Sequence, residues 1–193
     1  RPRLFFTQSL AHNPTGSDVS LAKARAVLHL AEQHNLLLVE NDVLSDFRPA
    51  TSPRLSALDG LERTLYLGSF SKSLSAALRV GFVACSPDLA QELADLKVLT
   101  GVNSSEYAER AVETLLAERR YPRHLEQLRG KLAEATHSAY ALLDRMGAEV
   151  FVRPSHSLFI WARWPDFADA QALAQAMLGE GIVMAPGNIF CVD

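Results

Sequence analysis

A single lysine, Lys72, stands in a hydroxyl-rich stretch of this chain. Ser69, Ser71 and Ser73 surround it, and Arg79 follows seven residues later. A lysine amine that is partly desolvated or lies near another cation loses its proton more easily, so it can form a Schiff base with a carbonyl compound. The hydroxyls and the guanidinium could hold an anionic group beside the amine, such as a cofactor phosphate. The stretch alone equally permits a surface loop with a solvated lysine.

The sequence before and after Lys72 predicts the strands of a parallel sheet that would position this lysine. Short apolar runs with little alternation predict strands that are buried on both faces. These runs are Arg3–Thr7, Leu36–Glu40, Thr64–Leu67 and Val80–Cys85. Between the first two runs, apolar residues at helical spacing predict a helix over Ser20–His34, which Asn35 ends. A strand, a helix and a second strand in this order form the crossover that a parallel pair needs.

A polar cluster follows each of the first three predicted strands. The clusters are His12–Gly16, Asn41–Asp42 and Ser69–Lys72. Because ligands of open α/β sheets bind beyond the carboxyl ends of the strands, we expect one site there. The amide of Asn13 can bond a phenolic oxygen, the carboxylate of Asp42 a protonated ring nitrogen, and the amine of Lys72 an aldehyde carbon. Together they would orient a pyridoxal phosphate ring and make it an electron sink.

Five motifs give the chain a family resemblance. They are His12-Asn13-Pro14-Thr15-Gly16, Val39-Glu40-Asn41-Asp42, Ser69-Phe70-Ser71-Lys72, Leu78-Arg79-Val80-Gly81-Phe82 and Ala185-Pro186-Gly187. With their order and spacing, nearly the whole chain resembles the fold-type I pyridoxal-phosphate proteins of the class I/II aminotransferase family. The segments Glu40–Arg48 and Tyr121–Leu125 resemble, more narrowly, the aminotransferase-like domain of MocR-type regulators, which follows a GntR-like DNA-binding domain.

The resemblance implies a role for several motif residues. Lys72 would carry pyridoxal 5'-phosphate as an internal aldimine, and Asn13 would bond the hydroxyl oxygen of the cofactor ring. The phosphate would be contacted by Ser69, Ser71 and Arg79. These roles are what family membership implies, and the spacing of the residues does not establish them.

The residue that meets the ring nitrogen stays open between two neighbours. The family register places its aspartate at Asn41 and its ring-side tyrosine at Leu44, whereas Asp42 could take the acid's role through a one-residue shift. An amide would hold a pyridinium charge poorly, which would favour sensing or slow chemistry over fast transamination. A further departure lies at His156 and Ser157, where many relatives carry two glycines. His156 either projects towards the cleft or ends a turn and bonds the backbone.

The resemblance implies an α/β architecture, a three-layer sandwich with a mostly parallel sheet followed by a small α/β C-terminal domain. Residues 1–120 would form the C-terminal part of the cofactor-binding large domain, and residues 121–193 a linking helix with a partial small domain. A helix is predicted from Pro122 to about Met146, followed by paired strands at Glu149–Val152 and Leu158–Arg163. The chain is interpreted as a fragment. The family's glycine-rich phosphate loop, the aromatic that stacks on the ring and the arginine that binds the substrate carboxylate would lie outside it.

The amino-acid composition limits the kinds of partner and the cellular location that we expect. The 193 residues are 48% hydrophobic with a net charge of −3, which fits a globular protein. No basic stripe stands out, so we do not expect this segment to contact nucleic acid, and DNA binding would belong to a module upstream of Arg1. The two cysteines, Cys85 and Cys191, fit free thiols in a reducing compartment, so a cytoplasmic location is expected. No apolar run approaches the roughly 20 residues of a membrane helix.

Three functions remain after other chemistries are weighed. A metal site of His12, Asp42 and His156 lacks the usual ligand spacings. An acyl-transfer nucleophile at Ser69 would leave the Asn13–Gly16 motif unexplained. The resemblance implies a homodimeric aminotransferase acting on an amino acid or amine. The alternative is a non-catalytic effector domain that senses an amine or the cofactor in a transcriptional regulator, and the third is that this chain is inert by itself.

Overall fold

The computed structural model describes residues 2–48, 52–101, 103–167 and 169–191, apart from the side chain of Ser45. The strands are β1 (Leu4–Thr7), β2 (Leu37–Asn41), β3 (Thr64–Ser69), β4 (Gly81–Ala84), β5 (Glu149–Val150) and β6 (Ala162–Arg163). The α-helices are α1 (Leu21–His34), α2 (Leu55–Asp59), α3 (Pro87–Gly101), α4 (Glu106–Ala117), α5 (Arg120–Arg145) and α6 (Ala170–Gly179). Short helical turns of the tighter type lie at Ser45–Phe47, Ala76–Leu78 and Gly187–Phe190.

A mixed sheet forms the centre of the first part of the chain. Its strand order is β1-β2-β3-β4, with β1, β2 and β3 parallel and β4 antiparallel to β3. The carboxyl ends of the three parallel strands therefore meet at one edge, where Thr7 lies opposite Glu40 and Asn41 lies opposite Leu67. The prediction of an α/β fold with a mostly parallel sheet is confirmed.

Helix α1 is the crossover between β1 and β2. Its first turn is capped by Ser20, whose hydroxyl accepts a hydrogen bond from the Lys23 N–H at 3.3 Å. It ends at Asn35, which adopts the left-handed conformation with φ of 51°. The inward stripe of α1 packs on the sheet and on α2 to form one buried apolar cluster. Its fully buried members are Ala24, Ala31, Leu38 and Leu55.

The outer strands are less buried than their apolar sequences predict. In β1, Phe5 and Phe6 are 46% and 69% exposed, and in β4 Phe82 and Val83 are 47% and 48% exposed. Each of these strands has a hydrogen-bonded neighbour on one side only in the described sheet. The expectation of strands buried on both faces is therefore wrong for β1 and β4. The expectation fails because an apolar sequence indicates that a strand is packed against other elements, but it does not show that the described part of this chain supplies them.

The long helix α5 connects the sheet to the C-terminal part of the chain. It begins at Arg120, two residues before the predicted start at Pro122. Near its beginning, Tyr121 and Leu125 are buried against the loop that follows β3. In its second half, the hydroxyl of Tyr140 donates to the Pro154 carbonyl at 3.1 Å. One rigid element thus contacts both parts of the molecule.

The C-terminal part contains a small sheet and one helix. The predicted strands pair antiparallel as expected, but only Glu149–Val150 and Ala162–Arg163 are regular. Helix α6 is capped by Asp169, whose carboxylate accepts from two backbone N–H groups at 2.9 and 3.0 Å. The division of the chain at residues 120 and 121 into two domains stays a prediction.

Candidate active site

A cleft of about 580 Å³ lies where β3 ends and β4 begins. Ser69, Ser71 and Arg79 line it together, and Lys97 of α3 adds a second cation. The N–H of Ser71 donates to the Ser69 hydroxyl oxygen at 3.1 Å, so the Ser69 proton is left for another acceptor. The three sequence-predicted phosphate contacts therefore share one cavity, where their hydroxyl and guanidinium donors suit an anion and the carboxylate of Glu109 also lines the wall.

Arg79 reaches this cleft through an uncommon backbone conformation. It follows the short helical turn Ala76–Leu78 and has φ of 53° and ψ of 34°. For a residue with a side chain, the left-handed region costs about 1–2 kcal/mol. Gly81 follows closely, and a Cβ there would lie 2.8 Å from the Gly68 carbonyl oxygen, so only glycine fits this approach. Strain of this kind is retained where the surrounding structure uses it, which makes Arg79 a functional candidate.

Asn41 and Asp42 lie on opposite faces of the sheet because side chains alternate along a strand. Strand geometry continues through Asp42, whose N–H donates to the Leu67 carbonyl at 2.9 Å. Asn41 pairs with Leu67, a residue that lines the cleft, and Asn41 is exposed. Asp42 shares the face of Glu40, which is directed at α2. The amide of Asn41 is thus on the same face of the sheet as Leu67, although Asn41 does not itself line the cleft, and the carboxylate of Asp42 is on the other face.

The carboxylate of Asp42 is held by two neighbours. Its Oδ2 lies 2.6 Å from Arg54 Nε and accepts a hydrogen bond from the Tyr66 hydroxyl at 2.8 Å. Burial and the hydrogen bond to Asp42 raise the pKa of Tyr66, so the phenol stays protonated and donates. Burial would lower the pKa of Arg54, but the hydrogen bond and charge of Asp42 outweigh it and raise that pKa. The Oδ1 atom is buried with no hydrogen-bond partner among the described residues.

A tight turn after β1 positions Asn13. The His12 N–H donates to the Ser17 carbonyl at 3.0 Å, and the Thr15 hydroxyl lies within 2.9 Å of the His12 ring and 2.7 Å of the Ser17 hydroxyl. The backbone N–H of Asn13 donates to Gln8 Oε1 at 3.0 Å, and the Asn13 residue is exposed. The turn is therefore fixed by its own side chains, and Asn13 does not line the cleft that Ser69, Ser71 and Arg79 share.

Lys72 lies in the turn directly after Ser71 and is exposed. It does not line the cleft that Ser69, Ser71 and Arg79 share. The prediction of a partly desolvated amine is therefore not met by the described residues of this chain. The neighbour of Lys72, Ser73, is by contrast 2% exposed.

The turn that carries Asn13 packs against the segment around His156. A Cβ on Gly16 would lie 2.8 Å from the Ser157 hydroxyl oxygen. The buried guanidinium of Arg48 donates to the carbonyls of Gly16 and His156. The ring of His156 lies 2.7 Å from the Ser155 hydroxyl. The ring of His156 thus bonds its sequence neighbour Ser155 and its backbone carbonyl bonds the distant Arg48, which favours the turn interpretation.

A polar network beside Lys72 was not predicted from the sequence. Tyr121 bonds both Ser73 and Asp46, and the His124 Nε2 atom lies 2.8 Å from the Ser73 carbonyl oxygen. The two partners of each bond are 48 or more positions apart in the sequence, so no local spacing reveals them. The available signal was that Tyr121–Leu125 and Glu40–Arg48 both carried the narrower family resemblance.

Residues 2–193 match the sequence pattern of the family described as aminotransferase class I and II. The match spans the sheet, the cleft and the C-terminal part. The chain therefore belongs to the aminotransferase class I and II family.

Relatives of two kinds are similar to the chain. The uncharacterised HTH-type transcriptional regulator YdcR of Escherichia coli is 33% identical over 93% of this chain and 39% of its own length. The uncharacterised HTH-type transcriptional regulator YisV of Bacillus subtilis is 28% identical over 97% of this chain and 40% of its own length. The alpha-aminoadipate aminotransferase LysN of Thermus thermophilus, solved with N-(5'-phosphopyridoxyl)-L-leucine, is 29% identical with a TM-score of 0.87. The match covers 98% of this chain and 50% of the LysN chain, so this chain spans half or less of these relatives.

Family membership implies pyridoxal phosphate, and the described residues fit it in kind. A phosphate ester needs hydroxyl or N–H donors and a cation, which Ser69, Ser71 and Arg79 supply in one cleft. An aldehyde needs an accessible primary amine, which Lys72 supplies.

No described helix is both long and apolar enough to cross a bilayer.

Proposed function

We propose that this chain is a pyridoxal-phosphate-binding domain of aminotransferase type in which Lys72 holds the cofactor. The observation that carries the proposal is the shared cleft of Ser69, Ser71 and Arg79, with Lys72 next in the chain. A phosphate bound by that hydroxyl and guanidinium set would leave the rest of the cofactor within the reach of the lysine side chain. The exposure of Lys72 suits an amine that must meet a ligand arriving from the open edge of the sheet.

Each predicted residue has a task in this proposal. Pyridoxal phosphate, when bound, supplies an electron sink for bonds at the α-carbon of an amino compound. Lys72 holds the cofactor and, once released by the amine of a substrate, moves a proton at that α-carbon. Asn13 orients the ring through its hydroxyl oxygen, and Arg79 neutralises the phosphate.

Asn41 is our choice for the neighbour of the ring nitrogen. The supporting observation is its place on the cleft face of β2, opposite Leu67. Asp42 lies on the other face, where Arg54 and Tyr66 occupy its Oδ2 atom. A neutral amide does not stabilise a protonated ring as a carboxylate would. Chemistry that relies on a charged ring should therefore be slow in this protein.

The amide at Asn41 favours a second function. A domain that binds the cofactor but turns over slowly suits an effector domain, in which binding of an amine or amino acid shifts a conformational equilibrium. The similarity to HTH-type regulators supports this alternative. In that case DNA would be bound by another part of the protein, and we infer a cytoplasmic homodimer in either case.

The decisive experiment maps the lysine that holds the cofactor. The chain has four lysines, Lys23, Lys72, Lys97 and Lys131. The purified protein is incubated with pyridoxal phosphate, reduced with borohydride and digested, and the label is located by mass spectrometry. We expect a visible absorbance band and a label on Lys72, both lost in Lys72→Ala and both retained in Lys131→Ala. A label on another lysine overturns the proposal.

A separate measurement distinguishes the enzyme from the sensor. The loaded protein is mixed with amino acids, and the cofactor spectrum is followed through a single turnover. Conversion of the cofactor within seconds supports the aminotransferase. A spectral change on binding, with conversion that takes hours, supports the effector domain.

A further inference from the structure

Helix α5 holds the turn that carries Lys72 through hydrogen bonds to Ser73. Ser73, the next residue, is 2% exposed, and its hydroxyl lies 2.7 Å from the Tyr121 hydroxyl. The Ser73 backbone carbonyl lies 2.8 Å from His124 Nε2. The hydroxyl and the backbone carbonyl of this buried residue are therefore bonded to two residues in the first turns of α5.

Tyr121 also contacts Phe70, two residues before Lys72. Its ring packs edge-on against Phe70, with 5.4 Å between the ring centroids. Tyr121 and Phe70 belong to the same buried apolar cluster. The backbone is thus anchored at Phe70 and at Ser73, while Lys72 between them is exposed. A flexible side chain on a fixed base sweeps a smaller volume than one on a mobile loop.

The Tyr121 hydroxyl joins this turn to the loop after β2. It donates to Asp46 Oδ2, so it accepts from the Ser73 hydroxyl. The Asp46 backbone carbonyl accepts from Arg129 Nε at 2.7 Å, which ties the same loop to α5 a second time. Burial and the hydrogen bond to Asp46 raise the pKa of Tyr121, so the phenol keeps its proton. One phenol therefore connects the segments that follow two neighbouring strands.

We propose that Tyr121 is a positioning residue for Lys72, acting through Ser73 and Phe70 and touching neither cofactor nor substrate. The proposal rests on the assignment of Lys72 as the residue that holds the cofactor. A misplacement of about 1 Å in a reacting group can slow a reaction by about 100-fold. A hydroxyl that fixes the neighbouring residue therefore affects the rate at which the amine meets the aldehyde, with no contact to either.

The test compares Tyr121→Phe with Tyr140→Phe. Both tyrosines lie on α5, and Tyr140 bonds Pro154 in the C-terminal part. The first measurement is hydrogen exchange of the 71–75 backbone amides in protein without cofactor. We expect faster exchange in Tyr121→Phe and no change in Tyr140→Phe. Thermal unfolding confirms that each variant is folded, and Ser73→Ala serves as a second variant that removes the same bond.

The second measurement separates positioning from a general loss of the site. Pyridoxamine 5'-phosphate has no aldehyde, so its dissociation constant reports the phosphate and ring contacts alone. We expect that constant to be unchanged in Tyr121→Phe, while the rate of covalent attachment of pyridoxal phosphate to Lys72 falls about 10-fold. Ser73→Ala should show the same split, and Tyr140→Phe should match the unmodified protein.

The outcomes are distinct. If attachment keeps its rate in Tyr121→Phe and in Ser73→Ala, the positioning role is overturned even if hydrogen exchange becomes faster. Unchanged exchange in both variants also overturns it. If the unmodified protein carries no label on Lys72, the proposed function fails instead. The exchange measurement, which needs no cofactor, still decides whether Tyr121 holds the turn.

Discussion

The two faces of the sheet treat polar residues in opposite ways. On the face directed at α2, Glu40 is fully buried and bonded to backbone N–H groups. Asp42 is paired there with Arg54 and Tyr66 through its Oδ2 atom, while its Oδ1 atom has no partner among the described residues. On the cleft face, Asn41 is exposed and stands one residue from each of these carboxylates. Buried polar groups that are satisfied within the chain maintain the fold, whereas those presented to a cleft are available to a ligand. The pleat of one strand separates the two kinds of residue.

The largest loss of stability is expected from Glu40→Ala, on the face of the sheet that is directed at α2. The Glu40 carboxylate accepts from the Leu55 and Ser56 N–H groups at 2.8 and 2.9 Å and from the Ser9 hydroxyl. Its removal leaves buried donors without an acceptor, which should lower the free energy of unfolding by about 3–5 kcal/mol. Denaturant unfolding measures this loss. The exposed Glu62→Ala is the control, and equal stability of the two variants would contradict the structural role of Glu40.

Asn41 and Asp42, adjacent residues at the end of β2, should respond differently to substitution by alanine. Asp42→Ala removes the partner of Arg54 and Tyr66 and should cost about 1–3 kcal/mol of stability. Asn41→Ala should stay within about 0.5 kcal/mol because Asn41 is exposed. The cofactor spectrum should respond in the reverse order, with a shift in Asn41→Ala. A spectral shift confined to Asp42→Ala would assign the ring nitrogen to the carboxylate and break the comparison.

The sequence predicted the parts of the fold that local patterns encode. The four strands of the mixed sheet begin and end within about two residues of their predicted limits, because apolar runs and turn residues mark them. Strand β6, in contrast, begins at Ala162, four residues after the predicted start at Leu158. Helix α1 was bounded correctly since Ser20 and Asn35 cap it. The exposure of β1 and β4 was not predicted, because coverage of a strand depends on elements that are distant in the sequence or belong to other segments.

The site was predicted as a set of residues but not as a geometry. The choice between Asn41 and Asp42 stayed open because a one-residue shift in register moves every side chain to the other face. The strand pairing with β3 places them on separate faces. The network of Tyr121 and Ser73 joins residues 48 positions apart, and only the folded chain brings them together.

On the cleft face, Arg79→Ala should weaken binding without weakening the fold. The loss of a charge-assisted hydrogen bond is worth about 1.5–3 kcal/mol, or roughly 10- to 150-fold in the dissociation constant of pyridoxamine 5'-phosphate. Stability should change little because Arg79 is exposed. Arg145→Ala, an exposed arginine at the end of α5, is the control. An unchanged dissociation constant in Arg79→Ala would remove this residue from the phosphate site.

The smallest effect is expected from Tyr66→Phe, again on the face of the sheet that is directed at α2. Tyr66→Phe removes the hydroxyl that donates to Asp42 at 2.8 Å but leaves the ring and the Arg54 ion pair in place. We expect a loss of about 1 kcal/mol, typical of one hydrogen bond. Chemical denaturation of Tyr66→Phe and of Tyr107→Phe, where the tyrosine is 92% exposed, gives the comparison. Because the tyrosine lies on the α2 face, cofactor affinity should be the same in both variants. A Tyr66→Phe protein of normal stability but altered affinity would mean that the carboxylate cluster around Asp42 serves the ligand, and that the separation of the two faces is wrong.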